Sequence, residues 1–361
     1  MPNQALTGAR KKKNDEFYTQ LADIEREINA YLVFNPDVFR GKTVLLPCDD
    51  PEWSNFTRYF AQNFQTLGWK RLISTGFAVK RKWELGLLPG LELEETEWAT
   101  LPHGTIFRLE GVTNRKRVVN LDNLVGRPMK QDGDFRSEEV QRLRNQADII
   151  VTNPPFSLFR EFVAWLMDSG KQFLVIGNMN AITYKEVFPH IVENRLWLGA
   201  TGNGTDMVFG VPKGAEVAPQ DRDKAAKLGY VGNYTRLGNS CWFTNMEHGR
   251  RHQPLNLMTM AENLKYSRHE ELRVGGYRRY DNYDAIEIPY TDAIPLDYEG
   301  AMGVPISFLD KYCPEQFEIL GASESEGKGF SNGLWKAESG IAQPVVGGER
   351  KYKRLFIKRR G

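Results

Sequence analysis

The sequence predicts a mixed α/β fold in which a largely parallel sheet is covered by helices. Two observations support this prediction. Between residues 42 and 245, buried apolar runs alternate with segments whose apolar residues recur at helical spacing. In addition, 41% of the 361 residues are hydrophobic and 26% are charged, a composition typical of a globular chain. A chain of this length can form one large domain or a domain with an appendage.

The composition also excludes several classes of protein. No apolar run reaches the length of a membrane span, and the N-terminus lacks the apolar core of a signal peptide, so we expect a cytoplasmic protein without membrane contact. Three cysteines lie far apart without a CxxC pair, and we interpret them as free thiols. His248 and His252 are spaced i, i+4, but Gly249 lies between them and no zinc set is complete. We therefore expect no metal site.

The N-terminal region is predicted to form a basic arm followed by a helix. Residues 1–13 are polar and end in four cations, which indicates a mobile arm; a solvated tail is favoured over phosphate contact. Apolar residues then recur at helical spacing from Leu21 to Leu32, so a helix is expected to end near Asn35. The net charge of +2 does not by itself indicate nucleic-acid binding, although a local basic face is compatible with it.

A strand, an acidic loop and a second helix are predicted next. Residues 42–47 are predicted to form a buried strand around the apolar run Val44–Leu46, and Ser54 and Asn55 are candidate N-caps of the following helix. The intervening loop, residues 48–52, is rich in carboxylates and lacks the glycines of a phosphate-binding loop. Carboxylates suit a ligand with hydroxyl groups and an ammonium. An ordinary helix-capping loop is the alternative interpretation.

The region that follows is less regular, and its elements are predicted from short patterns. They are a strand at residues 70–74, a solvated acidic insertion at 80–104, and a hairpin of residues 105–109 and 117–121. Asp134 and Phe135 then precede a helix of residues 137–146. An acid beside an aromatic residue can bind a purine, because the acid accepts an amino hydrogen and the ring packs against the base. Alone this pair is a weak signal, but it lies one helix before the most informative motif.

That motif is the stretch from Ile149 to Phe156. Its apolar residues are continuous and β-branched, which predicts a buried strand. Pro154 and Pro155 end the strand, because neither has an N–H for the sheet and both restrict φ. Asn153 and Phe156 are therefore expected on a stiff turn at the carboxyl end of a strand, where open α/β sheets bind their ligands.

The residue types of this turn indicate a particular chemistry. The amide oxygen of Asn153 and the carbonyl of Pro154 can accept the two hydrogens of an exocyclic amino group. Phe156 offers a face on which a planar base can stack. These groups suit the binding of a flipped adenine or a similar amide nitrogen. The alternative interpretation of the motif is a tight turn around a buried Phe.

Further strands and helices complete the alternating pattern. They are a helix of residues 158–167, strands at 171–176, 207–211 and 240–244, and a helix and strand within 188–198. The strands at 207–211 and 240–244 are expected to form an antiparallel edge of the sheet. Residues 212–238 between them are expected to be a long loop that reaches a partner.

The C-terminal region, residues 246–361, has a different character. Basic pairs alternate with aromatic residues, which fits phosphate contact and base reading on a separate module. Solvated surface charge is the alternative. The candidate DNA contacts are Arg250, Arg251, Arg278 and Arg279.

Together these segments resemble the EcoRI-type adenine-specific (N6) DNA methyltransferase family over most of the chain. The resemblance is carried by Glu16–Thr19, by Leu46–Phe56, by Asp148–Phe156 and by Trp242–Asn245. Many amino methyltransferases share an Asn-Pro-Pro-Phe element, whereas the stretch Leu-Pro-Cys-Asp-Asp-Pro-Glu followed by Ser-Asn-Phe is far more specific to this family.

The resemblance implies an S-adenosylmethionine-dependent, Rossmann-like catalytic domain at residues 14–245 and a target-recognition region at 246–361. The implied cofactor-binding residues are Phe17, Tyr18, Thr19, Pro47, Cys48, Asp49, Asp50, Asp134 and Phe135. The implied target-base residues are Asn153, Pro154, Pro155 and Phe156. One departure is that the second predicted strand runs into Ser74–Phe77 without the usual acid for the ribose. Either the acidic loop serves both purposes or that strand is misplaced.

The resemblance implies a site-specific enzyme that transfers a methyl group from S-adenosylmethionine to a flipped-out adenine N6 in duplex DNA. Transfer would be direct, without a covalent enzyme intermediate. We expect a monomeric modification methylase that acts separately from any cognate restriction endonuclease. Two alternatives are open: a methyltransferase for another amino group, in RNA or on a protein glutamine, and a non-catalytic DNA-binding protein with this fold.

Overall fold

A computed structural model describes residues 18–78, 103–110, 124, 126–201, 207–211, 217–323 and 330–360. The predicted basic arm, Phe17, and the predicted strand at residues 117–121 lie outside the described residues, as does nearly all of the acidic insertion. The chain forms two compact units. The first comprises the residues up to Asn178 together with Thr201–Met246, and the second comprises Met179–Ala200 together with Glu247–Gly361. The second unit thus includes 22 residues from inside the range predicted for the catalytic domain.

The elements are numbered along the chain, and most of those in the first unit belong to the alternating pattern. The first unit contains β1 (Tyr18–Thr19), α1 (Leu21–Phe34), β2 (Thr43–Leu46), α2 (Asn55–Gln62), β3 (Arg71–Gly76), β4 (Thr105–Glu110), β5 (Arg127–Pro128), α3 (Glu138–Gln146), β6 (Ile149–Thr152), α4 (Phe159–Ser169), β7 (Gln172–Asn178), β9 (Val208–Gly210), α6 (Pro219–Lys227), β10 (Tyr234–Arg236) and β11 (Ser240–Thr244). α5 (Phe188–Val192) and β8 (Trp197–Leu198) belong to the second unit.

Within the main sheet, the strands that belong to the first unit follow the order β5-β4-β3-β2-β6-β7-β11. The four central strands, β3, β2, β6 and β7, are parallel. β4, β5 and β11 are antiparallel to their neighbours. All four residues of β2 and of β6 are buried, as expected for strands covered on both faces. The prediction of an α/β fold is therefore confirmed, and the sheet is mixed: its four central strands are parallel and its edges are antiparallel.

The ends of several helices follow from local sequence. The Ser54 side chain caps α2 by accepting a hydrogen bond from the Phe56 N–H at 3.0 Å, as predicted. Ser137 caps α3 in the same way. α4 ends at Gly170, which has φ +61°, a left-handed conformation that glycine adopts without steric cost.

The predicted antiparallel edge is wrong in part. β11 does pair antiparallel with β7, but β9 does not join this sheet. Instead, β9 lies between β1 and β10 in a separate three-stranded antiparallel sheet, with Phe209 opposite Thr19 and Thr235. The stretch predicted as a loop reaching a partner is also partly regular, because it contains α6 and β10. Such pairing between strands distant in sequence cannot be read from local periodicity.

The second unit is built around a four-stranded sheet of order β12-β13-β17-β14. Its elements are α5 (Phe188–Val192), β8 (Trp197–Leu198), α7 (Met260–Tyr266), α8 (Glu270–Gly275), β12 (Ile286–Glu287), β13 (Met302–Pro305), β14 (Phe317–Ala322), β15 (Val345–Val346), β16 (Glu349–Arg350) and β17 (Arg354–Arg359). Tyr280 and Tyr283 pack with Phe356 in a buried aromatic cluster of this unit. Within the described part of the chain, neither unit has a helix long and apolar enough to cross a membrane.

Candidate active site

The candidate site lies at the carboxyl edge of the parallel strands in the first unit. The chain forms β2, continues outward to β3, and later returns to form β6 on the other side of β2. This reversal of direction is a topological switch point, where open α/β sheets place a ligand crevice outside the strand ends. The acidic loop follows β2 and the Asn-Pro-Pro-Phe turn follows β6, so the sheet brings the two predicted motifs together.

The turn after β6 has the form that its prolines dictate. Thr152 ends the strand, and Asn153 and Pro155 are half-buried while Pro154 is buried. A single 3₁₀ turn then begins at Phe156 and leads into α4. The backbone groups of this turn and the Asn153 amide are thus presented at the strand end, as predicted. Their roles toward a substrate remain proposals.

Asp49 connects the acidic loop to this turn. Its side chain is only 4% exposed. One carboxylate oxygen accepts a hydrogen bond from the Ser54 hydroxyl at 2.7 Å, and the other accepts one from the Thr152 hydroxyl at 2.5 Å. The backbone N–H of Asn153 also donates to Asp49. Burial raises the pKa of Asp49 to about 7, against the opposing effect of these hydrogen bonds.

Asp50 occupies a different position, beside the end of β3. Its Oδ1 accepts the Glu52 N–H at 3.0 Å, and its Oδ2 lies 3.4 Å from the Thr105 hydroxyl. A Cβ atom added to Gly76 would come within 2.5 Å of this Oδ2. The predicted second strand is confirmed as β3, and the Asp50 carboxylate, from the neighbouring loop, lies beside its end.

The backbone of the acidic loop is held by the adjacent strands. The Ser74 hydroxyl donates to the Asp49 carbonyl at 2.5 Å, and the Thr75 hydroxyl donates to the Pro47 carbonyl at 3.0 Å. The Cys48 N–H donates to the Thr152 hydroxyl oxygen at 3.3 Å. Pro47 and Cys48 therefore contribute backbone groups that position the loop.

The segment around β1 reaches the same site. The Asn55 side chain donates to the Thr19 carbonyl at 2.8 Å, which joins β1 to the start of α2. The Thr19 hydroxyl is buried and has no hydrogen-bond partner among the described residues. Opposite Thr19 in the small sheet is Phe209, whose ring contacts the Phe156 ring edge-to-face with centroids 6.4 Å apart. Tyr18 precedes Thr19 in β1 and is half-buried.

Asp134 and Phe135 lie next to the end of β3. The residue before them, Gly133, packs its backbone against Gly76 and Gly104 with φ +78°, where a side chain would collide with the Gly76 carbonyl. Burial opposes ionisation of Asp134, but the hydrogen bonds and charge of Arg136 outweigh it and hold the pKa of Asp134 below its usual range. Asp134 thus remains a carboxylate.

Phe135 is more enclosed than the sequence indicated. Its side chain is 4% exposed, and its ring meets the edges of Phe162 and Trp165 at centroid distances of 5.0 and 5.7 Å. These contacts come from α4, the helix that follows the Asn-Pro-Pro-Phe turn. The packing joins the Asp134 segment to that helix.

The four predicted DNA contacts fall into two groups in the second unit. Arg251 is 3% exposed, and its guanidinium lies 3.7 Å from the Trp197 ring centroid and is hydrogen-bonded to Asn194. Arg250 pairs with Asp310 and donates to backbone carbonyls. Both guanidinium groups therefore have partners inside the unit, and their contact with DNA stays a prediction. Basic pairs in a sequence do not distinguish a buried cation from a surface one.

Arg278 and Arg279 form the second group, and both side chains are exposed. Arg279 is paired with Asp284 at 2.8 Å on the surface, a contact that solvent weakens. These two residues remain candidates for phosphate contact.

Sequence reasoning missed several residues that build the site. Thr152, Ser74 and Asn55 position the two loops through hydrogen bonds. Thr152 and Asn55 lie within the stretches that carry the family resemblance, so the sequence indicated their positions but not their hydrogen-bond partners. Phe209 had no signal, because its contact with Phe156 depends on pairing between β1 and β9.

Comparison with known proteins identifies the family. The profile described as "Adenine-specific methyltransferase EcoRI" matches residues 5–360. The type II methyltransferase M.EcoRI of Escherichia coli is 41% identical over 320 residues, which cover 88% of this chain and 89% of the relative. The type II methyltransferase M.MpnI of Mycoplasma pneumoniae is 33% identical over 357 residues, covering 98% and 97%. M.MgeORF184P of Mycoplasma genitalium, also a type II methyltransferase, is 33% identical over 358 residues and covers 97% of both chains.

No solved structure matches the chain significantly. The family match and the curated relatives extend over nearly the whole sequence, including both compact units. The chain therefore belongs to the EcoRI family of adenine-specific methyltransferases, which confirms the family predicted from its sequence.

Proposed function

We propose that this member of an adenine-specific methyltransferase family is a site-specific DNA methyltransferase of the modification type, which methylates adenine N6 in duplex DNA. The observation that carries the proposal is the junction of two motifs at one sheet edge. Asp49 of the acidic loop is hydrogen-bonded to Thr152 and Asn153, where β6 runs into the Asn-Pro-Pro-Phe turn. Methyl transfer to an exocyclic amine requires the methyl donor and the amino group to be held side by side. Direct contact between the acidic loop, proposed to bind the cofactor, and the Asn-Pro-Pro-Phe turn, proposed to bind the amino group, provides this arrangement.

We propose further that β3, β2, β6 and β7 form the Rossmann-like core of an S-adenosylmethionine-dependent enzyme. The parallel order and the switch point between β2 and β6 support this interpretation. The second unit would be the target-recognition region. Residues 217–238 and the three-stranded sheet of β1, β9 and β10 would be family-specific additions to the core.

The residues present fit S-adenosylmethionine on two observations. The Asp50 carboxylate lies at the ends of β2 and β3, where it can accept hydrogen bonds from the ribose hydroxyls or the methionine ammonium. The Thr19 hydroxyl is buried without a partner among the described residues and would find one in a ligand. When bound, the cofactor supplies an electrophilic methyl group on a sulfonium. The ionised Asp134 would accept a hydrogen bond from its adenine amino group, and Phe135 would support that segment from behind.

The turn after β6 would hold and activate the target base. The Asn153 amide oxygen and the Pro154 carbonyl would accept the two N6 hydrogens, which raises electron density on the nitrogen and orients its lone pair for in-line attack. Pro155 keeps the turn rigid, and it brings no N–H that would compete for these acceptors. No nucleophilic side chain is required, so Cys48 has a structural role.

Phe156 would stack on the flipped base. Flipping costs a few kcal/mol, and stacking on an aromatic ring returns about 1–3 kcal/mol. Stacking on Phe156 therefore offsets part of the free energy of base flipping, and contacts with the DNA backbone offset the remainder. Arg278 and Arg279 of the second unit are proposed for those contacts, with a monomer acting on each site independently of any restriction endonuclease.

The excursion between β9 and β10 is proposed as a further DNA contact in the first unit. Gly229 (φ +89°) and Gly232 (φ +115°) form a turn that leaves Val231 81% exposed. The turn follows α6, which carries three basic and two acidic side chains. An exposed apolar tip of this kind can insert between base steps. Val231→Ser should lower DNA affinity, whereas Val33→Ser, at an equally exposed valine on α1, should not.

The direct test offers tritium-labelled S-adenosylmethionine with duplex DNA, RNA and protein as separate acceptors. We expect label in duplex DNA only, and long-read sequencing of DNA from expressing cells should show N6-methyladenine within one sequence motif. Label in RNA or protein instead would refute the proposed substrate. Cofactor binding without transfer to any acceptor would favour a non-catalytic DNA-binding protein.

Asn153→Ala provides the matching variant. It should abolish methylation and leave cofactor affinity nearly unchanged, because Asn153 is proposed to contact the base alone. Asn145→Ala, at an exposed position of α3, is the matched control and should retain full activity. Retained methylation of duplex DNA by Asn153→Ala would contradict the proposed role.

A further inference from the structure

The family resemblance implies that Asp49 binds the cofactor, yet the contacts of its side chain point elsewhere. Asp49 is 4% exposed and is surrounded by donors from the protein itself. Ser54 donates to Oδ1 at 2.7 Å, Thr152 donates to Oδ2 at 2.5 Å, and the Asn153 N–H also donates to the carboxylate. A carboxylate whose oxygens are already engaged in this way has little surface left for an ammonium or a ribose.

The three groups bonded to Asp49 belong to two different parts of the fold. Ser54 is the N-cap of α2, so one oxygen fixes the start of that helix. Thr152 is the last residue of β6, and Asn153 is the first residue of the Asn-Pro-Pro-Phe turn. Thr152 is further fixed by the Cys48 N–H at 3.3 Å. The carboxylate is therefore a bridge between the cofactor loop and the residue that is proposed to hold adenine N6.

We infer that Asp49 is a positioning residue for methyl transfer, because its carboxylate fixes the orientation of the Asn153 turn relative to the cofactor loop. This inference rests on the proposed function of Asn153 and assigns to neighbouring acids two different tasks. Asp50, which is more exposed and lies at the end of β3, serves the cofactor. Asp49 serves the turn.

The division of tasks has a kinetic consequence. A group that binds the cofactor affects the cofactor KM, whereas a group that aligns the reacting atoms affects kcat. Misplacement of a reacting group by about 1 Å can cost on the order of 100-fold in rate. Loss of a hydrogen bond to a charged group has an effect of roughly 10- to 150-fold. Asp49→Asn should therefore lower kcat by about 10- to 100-fold.

The experiment compares Asp49→Asn with Asp50→Asn in the full-length protein under identical conditions. We expect Asp49→Asn to lower kcat with the cofactor KM and the calorimetric cofactor affinity within about threefold of wild type. We expect Asp50→Asn to show the reverse pattern. If Asp49→Asn weakens cofactor binding as much as Asp50→Asn does while kcat is unchanged, Asp49 is a cofactor ligand and the inference is overturned.

The pH profile of kcat supplies a readout that a purely structural role would not change. Protonation of Asp49 would turn one oxygen into a donor and weaken its hydrogen bonds to the turn. Burial, with a smaller contribution from the charge of Asp50, raises the pKa of Asp49 to about 7. Wild-type kcat should therefore fall as the pH decreases through about 7. The Asp49→Asn variant should lack this inflection. An unchanged profile in the variant would contradict the inference.

Variants of Thr152 keep the test decisive if Asp49→Asn does not fold. Thr152→Val removes the hydroxyl at nearly constant volume, and Thr152→Ser restores it. We expect a reduced kcat for the first and near wild-type kcat for the second; equal activity of both would overturn the inference. The proposed function is tested separately, by identifying which acceptor the wild-type protein methylates. The effects of Asp49→Asn on kcat and on the cofactor KM can be measured with whichever acceptor that is.

Discussion

Substitution of Phe156 by alanine is expected to reduce base flipping without affecting cofactor binding. The ring is half-buried at the start of the turn after β6, and one neighbour, Phe209, meets it edge-to-face at 6.4 Å. The proposed function places the target base against this ring. The variant therefore removes a stacking surface from the proposed target site but leaves the acceptors of Asn153 and Pro154 in place.

The size of the effect follows from the stacking energy. Stacking of a base on an aromatic side chain contributes about 1–3 kcal/mol, and about 1.4 kcal/mol corresponds to a factor of ten. The flipped population and kcat/KM of Phe156→Ala should therefore fall by roughly 5- to 150-fold. The assay is the fluorescence rise of 2-aminopurine placed at the target position, measured with calorimetric cofactor affinity as the internal reference.

Two further variants separate stacking from packing. Phe156→Trp keeps an aromatic face and should retain most of the fluorescence rise. Phe209→Leu keeps an apolar side chain at this buried core position and removes the edge-to-face contact, whose energy is about 0.5–1.5 kcal/mol, so a drop of roughly 2- to 13-fold is expected. An undiminished fluorescence rise in Phe156→Ala would refute the stacking role, and a parallel loss of cofactor affinity would indicate local unfolding instead.

Two predictions concern the stability of the second unit. Partial burial alone would lower the pKa of His252, but its hydrogen bonds to Glu315 and Glu247 outweigh this and raise it. The contribution of the imidazolium to stability is thus complete below the ordinary pKa of about 6.5 and is lost as the pH rises through the raised value. His252→Gln should flatten this part of the pH dependence of Tm, and an unchanged slope would contradict the assignment. Glu287→Gln leaves the Arg354 guanidinium buried without its counter-charge and should cost about 3–5 kcal/mol in urea unfolding, whereas replacing both residues by apolar ones should recover most of that loss.

Local sequence was sufficient for most elements of the first unit. The apolar runs at β2, β6 and β7 predicted buried strands, because strands covered on both faces lack polar alternation, and a shorter pattern predicted β3. The prolines after Asn153 predicted the stiff turn, since a residue without an N–H cannot continue a central strand. The family assignment depended on the same motifs and is confirmed over the whole chain.

Long-range pairing was beyond local sequence. β9 was expected in the main sheet, but it pairs with the N-terminal Tyr18–Thr19, which lies about 190 residues earlier. The contact between Phe209 and Phe156 follows from that pairing. Likewise, the sequence shows that Arg251 is basic but not whether it lies on the surface or in the interior. In the structure its guanidinium is buried over the Trp197 ring. Periodicity reports which face of an element is apolar but not which distant element covers it.

The acidic loop illustrates the division between the two kinds of information. The sequence alone determined that two carboxylates follow β2 and that an amide follows β6, because residue type and position in the strand order are local properties. Only the tertiary structure decided that the two acids differ. Asp49 points toward Thr152 and is buried, whereas Asp50 lies against the end of β3. Parallel strands bring their carboxyl ends to one edge, but the order of the strands across the sheet decides which neighbour each side chain meets.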